Sequence, residues 1–223
     1  CIFPDMAGSS KGKILPVERF VKSFEEQSLR LADSVFGQTV SGKWVYQSEV
    51  IDYVEEDLFM APDLSTIRKI PWNKEPTAQI ICDLNYPSGE PSKIAPRQVL
   101  KNIIRQLSDE NLRAVVAPEL EIYLCEQNLD PDLPLKTPVG KSGRRETGSR
   151  VFGIDAVNEF DKLTDDIYDY CELMNIGVDT LVHESGPSQI EINLNHGDPL
   201  ALADQAFMFK RAVRQVALKH NIH

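Results

Sequence analysis

The residues of this sequence best placed to do chemistry are four glutamates in two apolar segments. In PELEIYL, Glu119 and Glu121 are two positions apart. A β-strand therefore puts both carboxylates on one face and turns Leu120, Ile122 and Leu124 to the other. In HESGPSQIEINLN, Glu184 precedes a Gly186-Pro187 turn, and Glu191 follows within a strand, with Ile190 and Ile192 packed behind it. Neighbouring carboxylates on a half-buried sheet repel each other. The arrangement persists where one is protonated or a cation neutralises them. Four oxygen donors suit a hard divalent ion, Mg2+ or Mn2+, whereas zinc would prefer His or Cys. One strand glutamate alone is ordinary surface. The ELE pair together with HE-x6-E, inside one alternating αβ unit, is harder to read that way.

Other motifs fail on spacing. GSSKGK (8–13) is too short for a phosphate loop, and Ile14 stands where Ser or Thr should follow the lysine. GKS (140–142) has Leu135 at the first glycine position and no strand before it. His183-Glu184 lacks a second His four residues on, so it is not a zincin helix. There is no GxGxxG and no GxSxG.

The elements that must position the glutamates follow from periodicity. LRAVVAPELEIYLC (112–125) reads as a strand broken at Pro118, and SQIEINLN (188–195) as another. Three helices flank them. PRQVLKNIIRQLSDEN (96–111) has Val99, Ile103, Ile104 and Leu107 at helical spacing. DAVNEFDKLTDDIYDYCELMNIG (155–177) carries Phe160, Leu163, Ile167, Cys171 and Met174 on one stripe. PLALADQAFMFKRAVRQVALKH (199–220) starts at Pro199 and shows Leu202, Ala206, Phe209, Val213 and Val216 on one face. Between strand and helix, residues 126–150 are polar, rich in Pro, Gly and Arg, and aperiodic. A loop of that length in a compact domain is functional or disordered. The first hundred residues read mostly as strands, including 42–50 and 78–86, with one helix at 16–27 whose stripe is Val17, Phe20, Val21 and Phe24. DYVEED (52–57) reads as a solvated acidic loop. PSGEPSKIAPRQ (87–98) is dense in Pro and Gly and marks a boundary, giving domains 1–95 and 96–223.

Composition narrows the function classes. The 223 residues carry 24 Lys+Arg against 34 Asp+Glu, a formal charge of −10, which disfavours a nucleic-acid clamp. With 42% hydrophobic residues the chain can build a core. No run is long enough for a membrane span, and no leader is visible. The four cysteines never form CxxC, which fits free thiols and a cytoplasmic setting. The chain opens on CIFPDMAG without Met and stops within a helical pattern, so both ends read as those of a piece of a longer protein.

PELEIYL, HESGPSQIEINL, GDPLALADQAFMFKRAVRQVA and the terminal KHNI together resemble the glutamine synthetase family. The front half agrees. DMAGSSKGK is similar to the family's D-x-x-G-x-x-R-G-K entry, and DLFMAPDLSTIRKIPW to its acidic, PD-containing, PW-ending segment. SVFG-x-x-x-xG (34–42), PW-x-K-x-P-TAQ (71–79) and the P-x-SG-K type loop resemble the γ-glutamylpolyamine (γ-glutamylputrescine) synthetase-like subgroup.

The resemblance implies an α+β chain: an N-terminal β-grasp domain, then the first part of a catalytic domain built on a curved, mainly antiparallel sheet with helices. It implies an ATP-dependent carbon–nitrogen ligase that activates the γ-carboxylate of glutamate as γ-glutamyl phosphate, which an amine then attacks. Glu121, Glu184 and Glu191 match the ligands of the ion nearer the glutamate, and Glu119 matches a ligand of a second ion. It also implies a homo-oligomeric ring in which the acidic stretch 52–57 and the SVFG edge approach a neighbour. No nucleic acid and no membrane enter the picture.

Two departures stand out. Lys11 replaces the usual arginine. Thr39 stands where the subgroup often has an acidic residue, near an ammonium-handling aspartate in true glutamine synthetases, which disfavours plain ammonia as acceptor. The family's remaining metal ligands, glutamate-holding arginines and main ATP contacts lie beyond residue 223, so this chain alone is expected to be inactive. Three readings stand: a glutamate–amine ligase whose amine is a polyamine, an authentic glutamine synthetase using ammonia, and a non-catalytic structural or binding member. Four matched carboxylates disfavour the last.

Overall fold

The computed structural model describes residues 1–45 and 56–223. Most of the expected strand 42–50 and of the acidic stretch 52–57 lies outside them. Of the strand's described part, only Trp44 pairs, in an isolated bridge with Gln38. Two compact units emerge, one of residues 1–69 with 77–114, the other of 70–76 with 115–223.

The first unit is built from short antiparallel pairs. β1 (Ile2–Pro4) pairs β2 (Ser10–Gly12), and α1 (Val17–Glu25) follows, entered through Pro16. β3 (Arg30–Ala32), β4 (Asp57–Pro62) and β7 (Cys82–Asn85) form a three-stranded sheet with β4 central, while β5 (Arg68–Lys69) pairs β6 (Ala78–Gln79). The expected strand 78–86 is thus two strands. Alternation along β4 and β7 drives Leu58, Met60, Cys82 and Leu84 into a core with Phe3, Phe36 and Ala95. Phe3 and Phe36 meet edge to face at 6.1 Å.

α2 (Pro96–Asp109) also lies in this unit. The apolar stripes read from the sequence do not bury in either N-terminal helix. Val17, Val21 and Phe24 of α1, and Val99 and Ile103 of α2, are exposed. The buried side chain of α2 is Arg97, 6% exposed. Its guanidinium donates to Asp83 Oδ1 at 2.7 Å and Asp63 Oδ2 at 2.6 Å, and Lys101 Nζ reaches Asp83 Oδ2 at 2.5 Å. The docking of α2 therefore rests on a bridged charge network. Burial pushes the Cys82 and Cys171 thiols up to about 12.

The second unit holds the predicted glutamate strands. β8 (Glu119–Tyr123), β9 (Val178–His183) and β10 (Gln189–Leu194) form a three-stranded antiparallel sheet with β10 central. α3 (Ile154–Asn158), α4 (Asp161–Leu173) and α5 (Pro199–Lys219) complete it. The single helix expected over 155–177 is broken. Glu159 gives its carbonyl to the Lys141 N–H at 3.0 Å, and Phe160 leaves helical geometry at φ −123°, ψ 29°. The stripe nevertheless buries as expected at Leu163, Ile167, Cys171 and Met174. α5 starts on an Asp198 cap, whose carboxylate accepts from Leu200 N and Ala201 N. Asp166 ties α4 to the end of α5 through Lys219 (2.7 Å) and His220 (2.5 Å). Trp72 of the 70–76 segment packs beside Tyr170 with its ring tilted by 35°, and the Arg211 guanidinium lies 5.5 Å from the Trp72 ring centroid. Among the described residues no helix is long and apolar enough to cross a membrane.

Removing the Arg97 guanidinium takes the cation from a partly buried Asp63 and leaves Asp83 with Lys101 alone. Arg97→Ala should therefore cost about 2–4 kcal/mol in urea unfolding. Burial alone would raise the Asp63 carboxyl; hydrogen bonds from Ser65 and Arg97 and the guanidinium charge outweigh it and hold the group low. A carboxyl lowered on folding stabilises above its unfolded value, and that contribution is lost as pH falls through the folded one. Wild-type stability should thus decline below about pH 4, and less steeply in Arg97→Ala. Parallel pH profiles would contradict the assignment.

Candidate functional site

The site is built on the register between β8 and β10. Glu191 sits directly opposite Glu121, and Asn193 opposite Glu119. The same register places Ile190 against Ile122 and Ile192 against Leu120 on the other face. Ile190, Ile192 and Leu194 are buried, so β10 cannot slip without expelling them. Alternation then puts Glu119, Glu121, Gln189, Glu191 and Asn193 on one face. Glu119 and Glu121 are exposed there and Glu191 is half-buried.

Glu184 follows β9 by one residue, in the turn to β10. That turn is closed by Glu184 N–H to Gln189 O (2.8 Å) and by a left-handed Ser188 at φ 57°. The Glu184 carboxylate folds onto its own turn, Oε2 accepting from Ser185 N at 2.9 Å and Ser185 Oγ at 3.0 Å. Each of the two opposed carboxylates has an amide donor. Gln189 Nε2 donates to Glu121 Oε2 at 2.6 Å, and Asn193 Nδ2 to Glu191 Oε1 at 2.9 Å. Gln189 Oε1 in turn accepts the Gly186 N–H at 2.8 Å, which links the turn to Glu121. Among the described residues no three His, Cys, Asp or Glu side chains gather into a metal-holding group as they stand. The structure thus brings Glu121 and Glu191 face to face, sets Glu119 beside them, and leaves Glu184 engaged with Ser185.

In donor chemistry the set fits a hard divalent cation. It offers carboxylate oxygens, and like charges directly opposed across antiparallel strands cost free energy that a cation would recover.

Two residues not singled out from the sequence shape this site. Gln189 is a polar side chain buried at the start of an apolar strand. Glu146 lies in the 126–150 loop, the one segment whose length had marked it. Its Oε2 is hydrogen-bonded to His183 Nε2 at 2.9 Å and accepts the Ser188 N–H at 2.5 Å. The rest of that loop is pinned by polar contacts. A Cβ on Gly140 would collide with the Glu159 carboxylate, which also accepts the Ser142 N–H at 2.9 Å. Lys141 reaches Asp161 at 2.6 Å, and Arg145 reaches Glu126 at 2.5 Å.

Residues 93–223 match the family model described as glutamine synthetase, catalytic domain. The chain belongs to the glutamine synthetase family. Over 225 residues it is 32% identical to the gamma-glutamylputrescine synthetase PuuA of Escherichia coli K12, covering 100% of this chain and 47% of that protein. It is 27% identical to a glutamate–isopropylamine ligase of a Pseudomonas species, covering 98% and 47%. It is 30% identical to the glutamine synthetase of Methanocaldococcus jannaschii, covering 99% and 46%. The chain spans about half the length of these curated relatives. In fold it is similar to a crystal structure of a glutamine synthase homolog, with TM-score 0.80 and 18% identity over 100% of this chain and 49% of that one.

In this glutamine synthetase family chain the opposed pair makes a two-sided prediction. Glu191→Gln removes the repulsion while its Oε1 can still accept from Asn193. Without divalent ions it should melt slightly higher, by about 0.2–1 kcal/mol of stability. Added Mn2+ should stabilise wild type more than the variant. Equal Mn2+ shifts in both would remove Glu191 from the site.

Proposed function

We propose that this chain forms part of an ATP-dependent glutamate–amine ligase, which makes a γ-glutamyl amide through γ-glutamyl phosphate. The observation that carries the proposal is the in-register opposition of Glu121 and Glu191, flanked on the same face by Glu119. In this reading Glu121, Glu184 and Glu191 hold the ion nearer the glutamate, and Glu119 contributes to a second. Mg2+ or Mn2+ bound there would offset the charge on the transferring phosphoryl group. The chain's own part is to place carboxylate oxygens on a rigid sheet and keep them oriented through Gln189 and Asn193. No protein nucleophile is required.

The amine is read as a polyamine. Supporting this are the similarity to a gamma-glutamylputrescine synthetase and the Thr39 substitution. The Thr39 hydroxyl accepts the Lys43 N–H at 3.0 Å and meets Ser41 Oγ, so the position offers a loop contact in place of a carboxylate. The family match from residue 93 onward supports assigning 96–223 to the beginning of the catalytic domain, with 1–95 as the β-grasp domain. A homo-oligomeric ring in the cytoplasm belongs to the same reading.

The test is an acceptor panel on the intact protein: ATP, glutamate and Mg2+ with putrescine, isopropylamine or ammonia, scored by phosphate release and by mass of the γ-glutamyl product. Putrescine should exceed ammonia in kcat/KM by about tenfold or more, a difference of about 1.4 kcal/mol in transition-state binding. Glu121→Gln should lower turnover by about a hundredfold or more. Preference for ammonia would instead identify a glutamine synthetase. Folded protein that turns over no ATP with any amine would make it a non-catalytic member.

A further inference from the structure

Glu146 is a buried carboxylate with no place in the proposed ligand set. Its side chain is 9% exposed and its partner His183 is 3% exposed. One oxygen, Oε2, is hydrogen-bonded to His183 Nε2 and accepts the Ser188 N–H. These two residues are the end of β9 and the residue before β10, so a single atom bridges both ends of the turn that carries Glu184. The other His183 nitrogen, Nδ1, lies 2.8 Å from the Glu184 carbonyl. A carbonyl only accepts, so Nδ1 carries its proton and donates. Glu146 therefore reaches the Glu184 backbone through an oriented imidazole and, on the opposite side, restrains the left-handed Ser188 that leads into β10.

The position of Glu146 is itself held. Its carbonyl accepts from Thr137 Oγ1 at 2.9 Å, and the preceding Arg145 is paired with Glu126. Oε1 is buried without a hydrogen bond, and Arg150 Nε lies 3.8 Å from it. Replacing a buried ionic pair with apolar groups often costs no stability. What a carboxylate supplies here, and an apolar side chain would not, is direction at two polar partners.

We propose that Glu146 is a positioning residue for the divalent-cation site. It clamps the β9–β10 turn so that Glu184 and Glu191 stand where they can share an ion. This rests on the reading of Glu121, Glu184 and Glu191 as cation ligands, and the experiment separates the two claims.

Mn2+ dissociation constants are measured by electron paramagnetic resonance titration of the intact protein, with circular dichroism confirming the fold. The variants are Glu146→Ala, Glu146→Gln, Glu146→Asp and Glu121→Gln. Glu121→Gln should weaken Mn2+ binding, as a ligand change must. Glu146→Ala should weaken it by about 10–100-fold, the usual effect of losing a residue that orients metal ligands. Glu146→Gln should stay within about threefold of wild type, because its amide can accept the Ser188 N–H and meet His183 Nε2 as donor or acceptor. Glu146→Asp, one methylene short of both partners, should resemble Ala and carries the test if the Ala variant does not fold. Ala or Asp variants that bind as wild type, while Glu121→Gln binds weakly, would overturn the positioning role and leave the cation site standing. A Gln variant as weak as Ala would show that charge, and not the two hydrogen bonds, is what Glu146 supplies, and would also overturn it. Glu121→Gln binding as tightly as wild type would remove the cation site, and the positioning role with it.

Discussion

Two negative charges held opposite each other across an antiparallel ladder are the constraint on which the second unit turns. Left alone, Glu121 and Glu191 would favour a register that separates them, at a gain of about 0.2–1 kcal/mol. The other face of β10 decides otherwise. Ile190, Ile192 and Leu194 are buried, and each buried side chain of this size stabilises by about 1.5–3 kcal/mol. A one-residue slip would expose all three. Burial outweighs repulsion, so the carboxylates remain opposed whether or not anything neutralises them. Gln189 and Asn193 lessen the repulsion with amide donors, and neither supplies a positive charge.

The polar segment 126–150 answers a different physical problem. It has too little apolar content to fasten itself by burial, so it is fixed at discrete points: Gly140 and Ser142 on Glu159, Lys141 on Asp161, Arg145 on Glu126, and Glu146 beneath the β9–β10 turn. Directional contacts fix position more closely than they add stability. That suits a segment set behind a hairpin whose carboxylates must face one way.

The glutamate strands were legible because a period of two and an apolar opposite face leave little choice of orientation. PELEIYL and SQIEINLN carry that pattern without interruption. Periodicity does not mark β9, since VDTLVH alternates poorly and its burial is uneven. The break at Glu159 was illegible because it depends on a backbone donor from Lys141, remote in the chain. The stripes of α1 and α2 were read correctly as apolar, yet periodicity does not say whether a stripe finds cover within its own unit. In α2 a buried arginine anchors the helix instead. Glu146 and Gln189 are unmarked in the sequence for a related reason. Their roles come from hydrogen bonds to backbone and side chains far away in sequence, and no local spacing encodes those.

The segment 70–76 belongs to the second unit while the chain on both sides of it belongs to the first. No single cut in the polypeptide can therefore release both units whole: one severed between them at residue 114 loses Trp72 from beside Tyr170 and Arg211. Assembly has the same dependence. Trp72 leaves the ribosome well before the helices it packs against, and the loop that joins them must close before the second unit is complete, which makes its folding a long-range event. Circular permutants or split halves of this chain would accordingly need to carry 70–76 with the later residues, since the covalent order of the chain and its division into compact bodies do not coincide.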